Sequence, residues 1–123
     1  MTATNVGYGL AALIAAGIIF IGARFLLAPE VAAAGYGVPA EQAGNHAYLA
    51  AKGIRDIVSG IVTAILLANQ EPHVLAWFLL AAALIPIGDM IVVLRHHGPK
   101  TTAYGIHGVT AAVMLATAAL LLS

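Results

Sequence analysis

Lys52, Arg55, Asp56, Asp89 and His107 stand inside stretches that are otherwise Ala, Ile, Leu and Val. Ionisable groups in such surroundings are costly and mark sites. From Tyr48 the polar residues run Lys52, Arg55, Asp56, Ser59 and Thr63 in steps of three and four, so they share one helical face. Lys52 and Asp56, four apart, can pair directly. Asp89 follows Pro86 by three residues. Proline lacks an N–H, so the Ala82 carbonyl loses its usual partner and a kink is expected there. Tyr104, His107, Thr110, Met114 and Thr117 form a further stripe. These types suit acid–base chemistry. Asp56 or Asp89 would serve as general base, His107 would return a proton, and Lys52 and Arg55 would stabilise an oxyanion. Carboxylates in apolar sites can exchange protons near neutral pH. Asp56, Asp89 and His107 are therefore the candidate catalytic residues. Lys52, Arg55, Tyr48, Ser59, Tyr104 and Thr110 are the candidate substrate-binding residues. An ion pair from Arg55 to Asp56 or Asp89 is expected, because an unpaired charge in lipid is expensive.

The elements that position these residues follow from composition. Of 123 residues, 62% are apolar and only 8% charged. Such a chain cannot cover a water-facing surface, and its apolar residues are too many for disorder. The net charge is zero, with five basic and five acidic residues. Nucleic-acid binding therefore has no basic patch to rest on. Cysteine is absent, which excludes disulfides, thiolate metal sites and cysteine nucleophiles. A bilayer core needs about 20 apolar residues per helix, and four stretches qualify: Val6 to Ala28, His46 to Ala68, Val74 to Arg95 and Thr101 to Leu122. The expected fold is all-α, an integral membrane four-helix antiparallel bundle forming one domain over residues 1–123. Short polar links, Asn69 to His73 and His96 to Lys100, make neighbouring spans antiparallel. The first stretch reads as a retained span rather than a signal peptide, since Met1 to Asn5 holds no basic residue.

Depth follows from the helical rise. Arg55 and Asp56 lie about 15 Å in from His46, and Asp89 and His107 about 9 Å from the same membrane side. That side, called B, also receives Arg24, Arg95 and Lys100. The positive-inside rule then makes side B cytoplasmic and places both termini outside the cytoplasm of a multi-pass protein. Arg24 and Arg95 are expected to snorkel to the headgroups. His96 and His97 are expected in solvent, while His46 either caps a helix or lines the pocket mouth. Ala12, Ala16, Gly53, Gly105 and Gly108 are small enough for close helix contact. The apolar half on side A should pack shut, leaving a blind pocket with Asp56 near its floor and Tyr36 or His46 near its rim.

The segment Ala51-Lys52-Gly53-Ile54-Arg55-Asp56-Ile57-Val58-Ser59-Gly60 resembles a family of small four-span membrane proteins of unknown function, near the DoxX-like group. Ile85-Pro86-Ile87-Gly88-Asp89 and His107-Gly108 extend the resemblance across most of the chain. It implies the fold, singles out Arg55, Asp56, Asp89 and His107, and supplies no reaction. Some DoxX-like relatives are linked to quinone-dependent redox complexes, which implies a setting only.

Three functions stay open on these readings. One is binding of a small lipophilic molecule, with cofactor-free acid–base chemistry on it. Another is a proton-coupled small-molecule transporter, working as a homodimer. The third is a non-catalytic accessory subunit. No cofactor is called for. A metal at Asp56, Asp89 and His107 is disfavoured by the adjacent cations Lys52 and Arg55, and haem ligation by His46 and His107 lacks a motif. The partners are the lipid bilayer and the small lipophilic molecule.

Overall fold

The computed structural model describes residues 2–39 and 46–123. Among these the protein is helical throughout, with five helices: α1 (Ala3–Leu27), α2 (Pro29–Tyr36), α3 (His46–Ala68), α4 (Pro72–Arg95) and α5 (Lys100–Leu122). Local chemistry sets their ends. The Thr2 hydroxyl caps α1 by accepting from the Asn5 N–H at 3.1 Å, satisfying one of the free donors of a first turn. Pro29 and Pro72 open α2 and α4, where a missing N–H costs nothing. Gly37, at φ 111°, ends α2 in the left-handed conformation, which glycine adopts without strain. Gln70 and His97 take the same role at φ 52° and 58°. In each case the next residue's N–H reaches back to Leu66 or Val93, the pattern of a Schellman stop.

Helices α1, α4 and α5 are long and apolar enough to cross a membrane. The long helix α3 carries Lys52, Arg55 and Asp56 within five residues, so by composition alone it stands apart.

The long helices form a closed ring, α3 against α1, α1 against α5, α5 against α4 and α4 against α3. Alpha1 and α3 run antiparallel and touch backbone to backbone. A Cβ added to Gly53 would stand 2.6 Å from the Gly22 carbonyl oxygen, and one added to Gly60 would stand 2.9 Å from that of Ala15. The buried small residues of α1 are Gly7, Ala11, Ala15 and Gly22, of which Ala15 and Gly22 meet α3 and Gly7 lies against Leu121 of α5. Ala12 and Ala16, expected in this role, are exposed, because a row of fours from Gly7 turns them outward. Gly105 likewise faces open space, whereas Gly108 lies against Met90.

Two helices depart from regularity. Alpha4 is interrupted at Ala83, three residues before Pro86, as the missing N–H requires. Alpha5 contains a π-helical turn from Ala103 to Gly108, for which the sequence gives no warning.

At side A the ring is filled by Ala11, Leu75, Leu79, Met114, Ala118 and Leu121. At side B, α2 packs Ala32 and Ala33 onto Phe25 and Leu49, and Val38, just past α2, packs onto Val93 and Ala103. Between the two fillings lies a cavity.

Candidate functional site

The cavity has a volume of about 320 Å³, within the range of small-molecule pockets. All four long helices and α2 line it. Its side-B end is polar. Lys52 Nζ lies 3.0 Å from Asp56 Oδ2 and 4.0 Å from Asp89 Oδ2. The Tyr36 hydroxyl donates to Asp89 Oδ1 at 2.9 Å. His107 Nε2 lies 2.8 Å from the Tyr36 carbonyl oxygen. A carbonyl only accepts, so Nε2 carries the proton in this contact. The imidazole also packs on the Tyr36 ring, with centroids 4.7 Å apart.

The Lys52 ammonium completes its surroundings with two aromatic faces, Phe25 at 4.8 Å and Tyr36 at 5.1 Å from the ring centroids. Quadrupoles of this kind attract a desolvated cation. Burial, with the neighbouring Asp89 carboxylate as second cause, pushes the Tyr36 phenol well above its ordinary value. The hydroxyl therefore remains a donor at physiological pH. No buried side-chain nitrogen or oxygen among the described residues lacks a partner.

Away from this cluster the lining becomes apolar, through Ile18, Ile85, Phe78 and Met114. From Asp89 to Phe78 the cavity follows α4 for about 16 Å at the helical rise. Along α3 the lining continues past Asp56 through Ser59 and Thr63, so Asp56 belongs to the polar end and is not the floor. The small side chains of Ser59, Thr63 and Ala82 leave room that Phe78 and Met114 do not fill. Ile21, Ile85 and Ile106 line the cavity and are exposed.

The structure brings together Lys52, Asp56, Ser59, Asp89, His107 and Thr110. It leaves Arg55, Tyr48 and Tyr104 off the cavity. On a wheel of about 100° per residue, Lys52, Asp56, Ser59 and Thr63 fall within roughly 60° of one another, and Tyr48 and Arg55 lie past that arc. Tyr48 is 71% exposed. Arg55 is exposed, and no ion pair joins it to Asp56 or Asp89. Lys52 takes both carboxylates, and the long Arg55 stem can carry its charge outward. Tyr104 is 55% exposed because the wider π turn rotates it off the face held by His107, Thr110 and Met114.

Arg24 lines the cavity and also lies 6.0 Å from the outward-facing Phe20 ring. His46 pairs with Glu30 at 3.5 Å on the surface and does not line the cavity. His96 and His97 are exposed. Among the described residues no group of three acidic, histidine or cysteine side chains is placed to hold a metal ion.

Tyr36 is the residue that sequence reasoning undervalued. It links α2 to Asp89 on α4, His107 on α5, Lys52 on α3 and Phe25 on α1. The only signal for it was an aromatic between two glycines, Gly35-Tyr36-Gly37.

Fold and site together define an all-helical protein with membrane-length apolar helices around a cavity that is ionic at one end and apolar at the other. The chain belongs to the family described as Domain of unknown function (DUF4267), whose model matches residues 15–121. No curated protein and no solved structure matches it.

Proposed function

We propose that this is a four-span membrane protein that binds a small amphiphilic molecule in its cavity, apolar part toward Phe78 and polar part at Lys52, Asp56, Asp89 and His107. The observation that carries the reading is the graded cavity itself: about 320 Å³ with its ionisable groups gathered at one end. Alpha3 serves as the remaining span. Its Lys52 and Asp56 turn into the cavity, so they do not meet lipid, and its 23 residues suffice to cross. Arg24, Lys52, Arg55, Arg95 and Lys100 all belong to the side-B half, which supports a cytoplasmic side B and both termini outside.

Binding is favoured over transport. The side-A filling contains Leu75 and Leu79 at zero exposure, and a pathway requires access from both sides. Acid–base chemistry on the bound molecule is compatible with the group set, with Lys52 as the counter-ion of Asp56. The accessory-subunit reading rests on the DoxX-like resemblance of three short motifs and on no feature of the cavity.

The test is recovery of the ligand. Wild-type protein purified from membranes in mild detergent is extracted and its small molecules are identified by mass spectrometry, beside a Ser59→Phe variant that fills the cavity. The expected result is an amphiphile enriched in the wild type and lost in the variant. Equal extracts from two folded proteins would refute the reading.

A further inference from the structure

We infer that His107 reads a hydroxyl group of the bound molecule through Nδ1, and that the cavity selects an uncharged alcohol or phenol as its polar head. The inference rests on the amphiphile-binding reading above and specifies its ligand class. Its first support is the tautomer. The Tyr36 carbonyl at 2.8 Å can only accept, so Nε2 carries a proton, and in the neutral form of the ring that leaves Nδ1 as an acceptor. Tyr36 thereby positions the ring and does not itself need to touch the ligand.

The second support is accessibility. His107 Nδ1 has no protein partner among the described residues, yet no sealed, unpartnered side-chain nitrogen exists among them. Nδ1 therefore keeps accessible surface, and His107 is a lining residue of the cavity. A mostly buried, cavity-lining imidazole with one nitrogen tied to backbone and the other unpartnered among the described residues lacks only a donor.

The third support is charge. The charged lining residues are Arg24, Lys52, Asp56 and Asp89, two cations and two anions. Over the whole lining they sum to zero, although among the described residues Lys52 alone is within ion-pair distance of the two carboxylates. A charged head would leave one buried charge uncompensated, which costs far more than a neutral head. Unused hydrogen-bonding capacity in the cavity includes acceptors, His107 Nδ1 and Asp56 Oδ1, beside N–H donors of Lys52 and Arg24, with the Ser59 hydroxyl able to do either. A neutral donor satisfies both conditions, and a hydroxyl on an apolar chain is the simplest one.

The experiment measures binding of matched probes to the protein in lipid nanodiscs, as the excess over empty nanodiscs. The probes are dodecanol, undecyl methyl ether of equal heavy-atom count, and dodecylamine. One hydrogen bond predicts that dodecanol binds about fivefold to tenfold tighter than the ether, and the amine is expected to bind more weakly than dodecanol. In His107→Phe the ring can still pack on Tyr36 but offers no acceptor, so the alcohol preference should fall to about one. Nitrogen-15 spectra of histidine-labelled wild type should show the Nε2-protonated tautomer for His107, its Nδ1 signal moving with dodecanol. Equal binding of alcohol and ether, a tighter amine, an unchanged preference in His107→Phe, or the opposite tautomer each overturns the assignment while leaving a binding cavity intact. Failure of all three probes to bind the wild type overturns the amphiphile reading as well. The wild-type comparison decides even where the variant does not fold.

Discussion

Replacing Tyr36 by Phe removes one atom from the contact that joins the side-B cap to the site. The phenol donates to Asp89 at 2.9 Å, and the ring packs on His107 and faces the Lys52 ammonium. Phenylalanine keeps both ring contacts and the main-chain carbonyl that His107 uses. Only the hydroxyl bond is lost, leaving Asp89 with Lys52 at 4.0 Å. Hydrogen bonds to charged groups contribute about 1.5 to 3 kcal/mol. Tyr36 and Asp89 are both only part-buried, so water can partly replace the hydroxyl and the lower half of that range applies. A loss of about 2 kcal/mol corresponds to a fall of roughly 8 °C in Tm for a chain of this size. Thermal unfolding in detergent measures it, with Asp89→Asn and the double variant completing a cycle. Contacting partners should show a coupling of about 1 kcal/mol or more. A Tyr36→Phe variant as stable as wild type, or strictly additive single effects, would refute the clasp.

Tyr36 also carries a pH signature. Its phenol is raised above the ordinary 10.0 by burial, so the folded state holds a proton that the unfolded chain releases. That contribution is fully present below about pH 10 and is lost as pH rises further; Tm measured from pH 9 to 11 should fall, and fall less in Tyr36→Phe. Lys52→Ala should destabilise by about 3 kcal/mol, since it strands two carboxylates, whereas Arg55→Ala should stay within about 0.5 kcal/mol; equal losses in chemical unfolding would restore Arg55 to the cluster. Gly53→Ala places a Cβ 2.6 Å from the Gly22 carbonyl and should cost about 1 to 3 kcal/mol, while Gly17→Ala meets nothing within 4 Å and should gain up to about 1 kcal/mol from helix propensity. Because the chain has no cysteine, single cysteines at Thr4 and Ser123 report topology; both should react with a membrane-impermeant thiol reagent in intact cells, and a need for permeabilisation at both sites would reverse the orientation.

Composition and periodicity determined the helical class and the approximate ends of the long helices. Twenty-residue apolar runs, Pro29, Pro72 and Pro99 are local features, and local physics suffices to read them. The interruption of α4 near Pro86 was legible for the same reason, since one missing N–H acts on its own turn. The pairing of Lys52 with Asp56 was legible because residues four apart on a helix are neighbours wherever that helix packs. So was the gathering of Asp56, Asp89 and His107 in one half of the bundle, which needs only a rise per residue and antiparallel links.

What the sequence could not decide is rotation. Whether Lys52 or Arg55 faces inward depends on where α3 sits against its neighbours, and that is set by the Gly22 and Gly53 contact between two chain segments thirty residues apart. The π turn that carries His107 inward and turns Tyr104 out also depends on packing, since no residue in Ala103–Gly108 demands it. The joining of Tyr36 to Asp89 and His107 spans 53 and 71 residues. Only the closed ring of helices brings those groups within bonding distance, and with them the tautomer of His107 and the chemistry open to its other nitrogen.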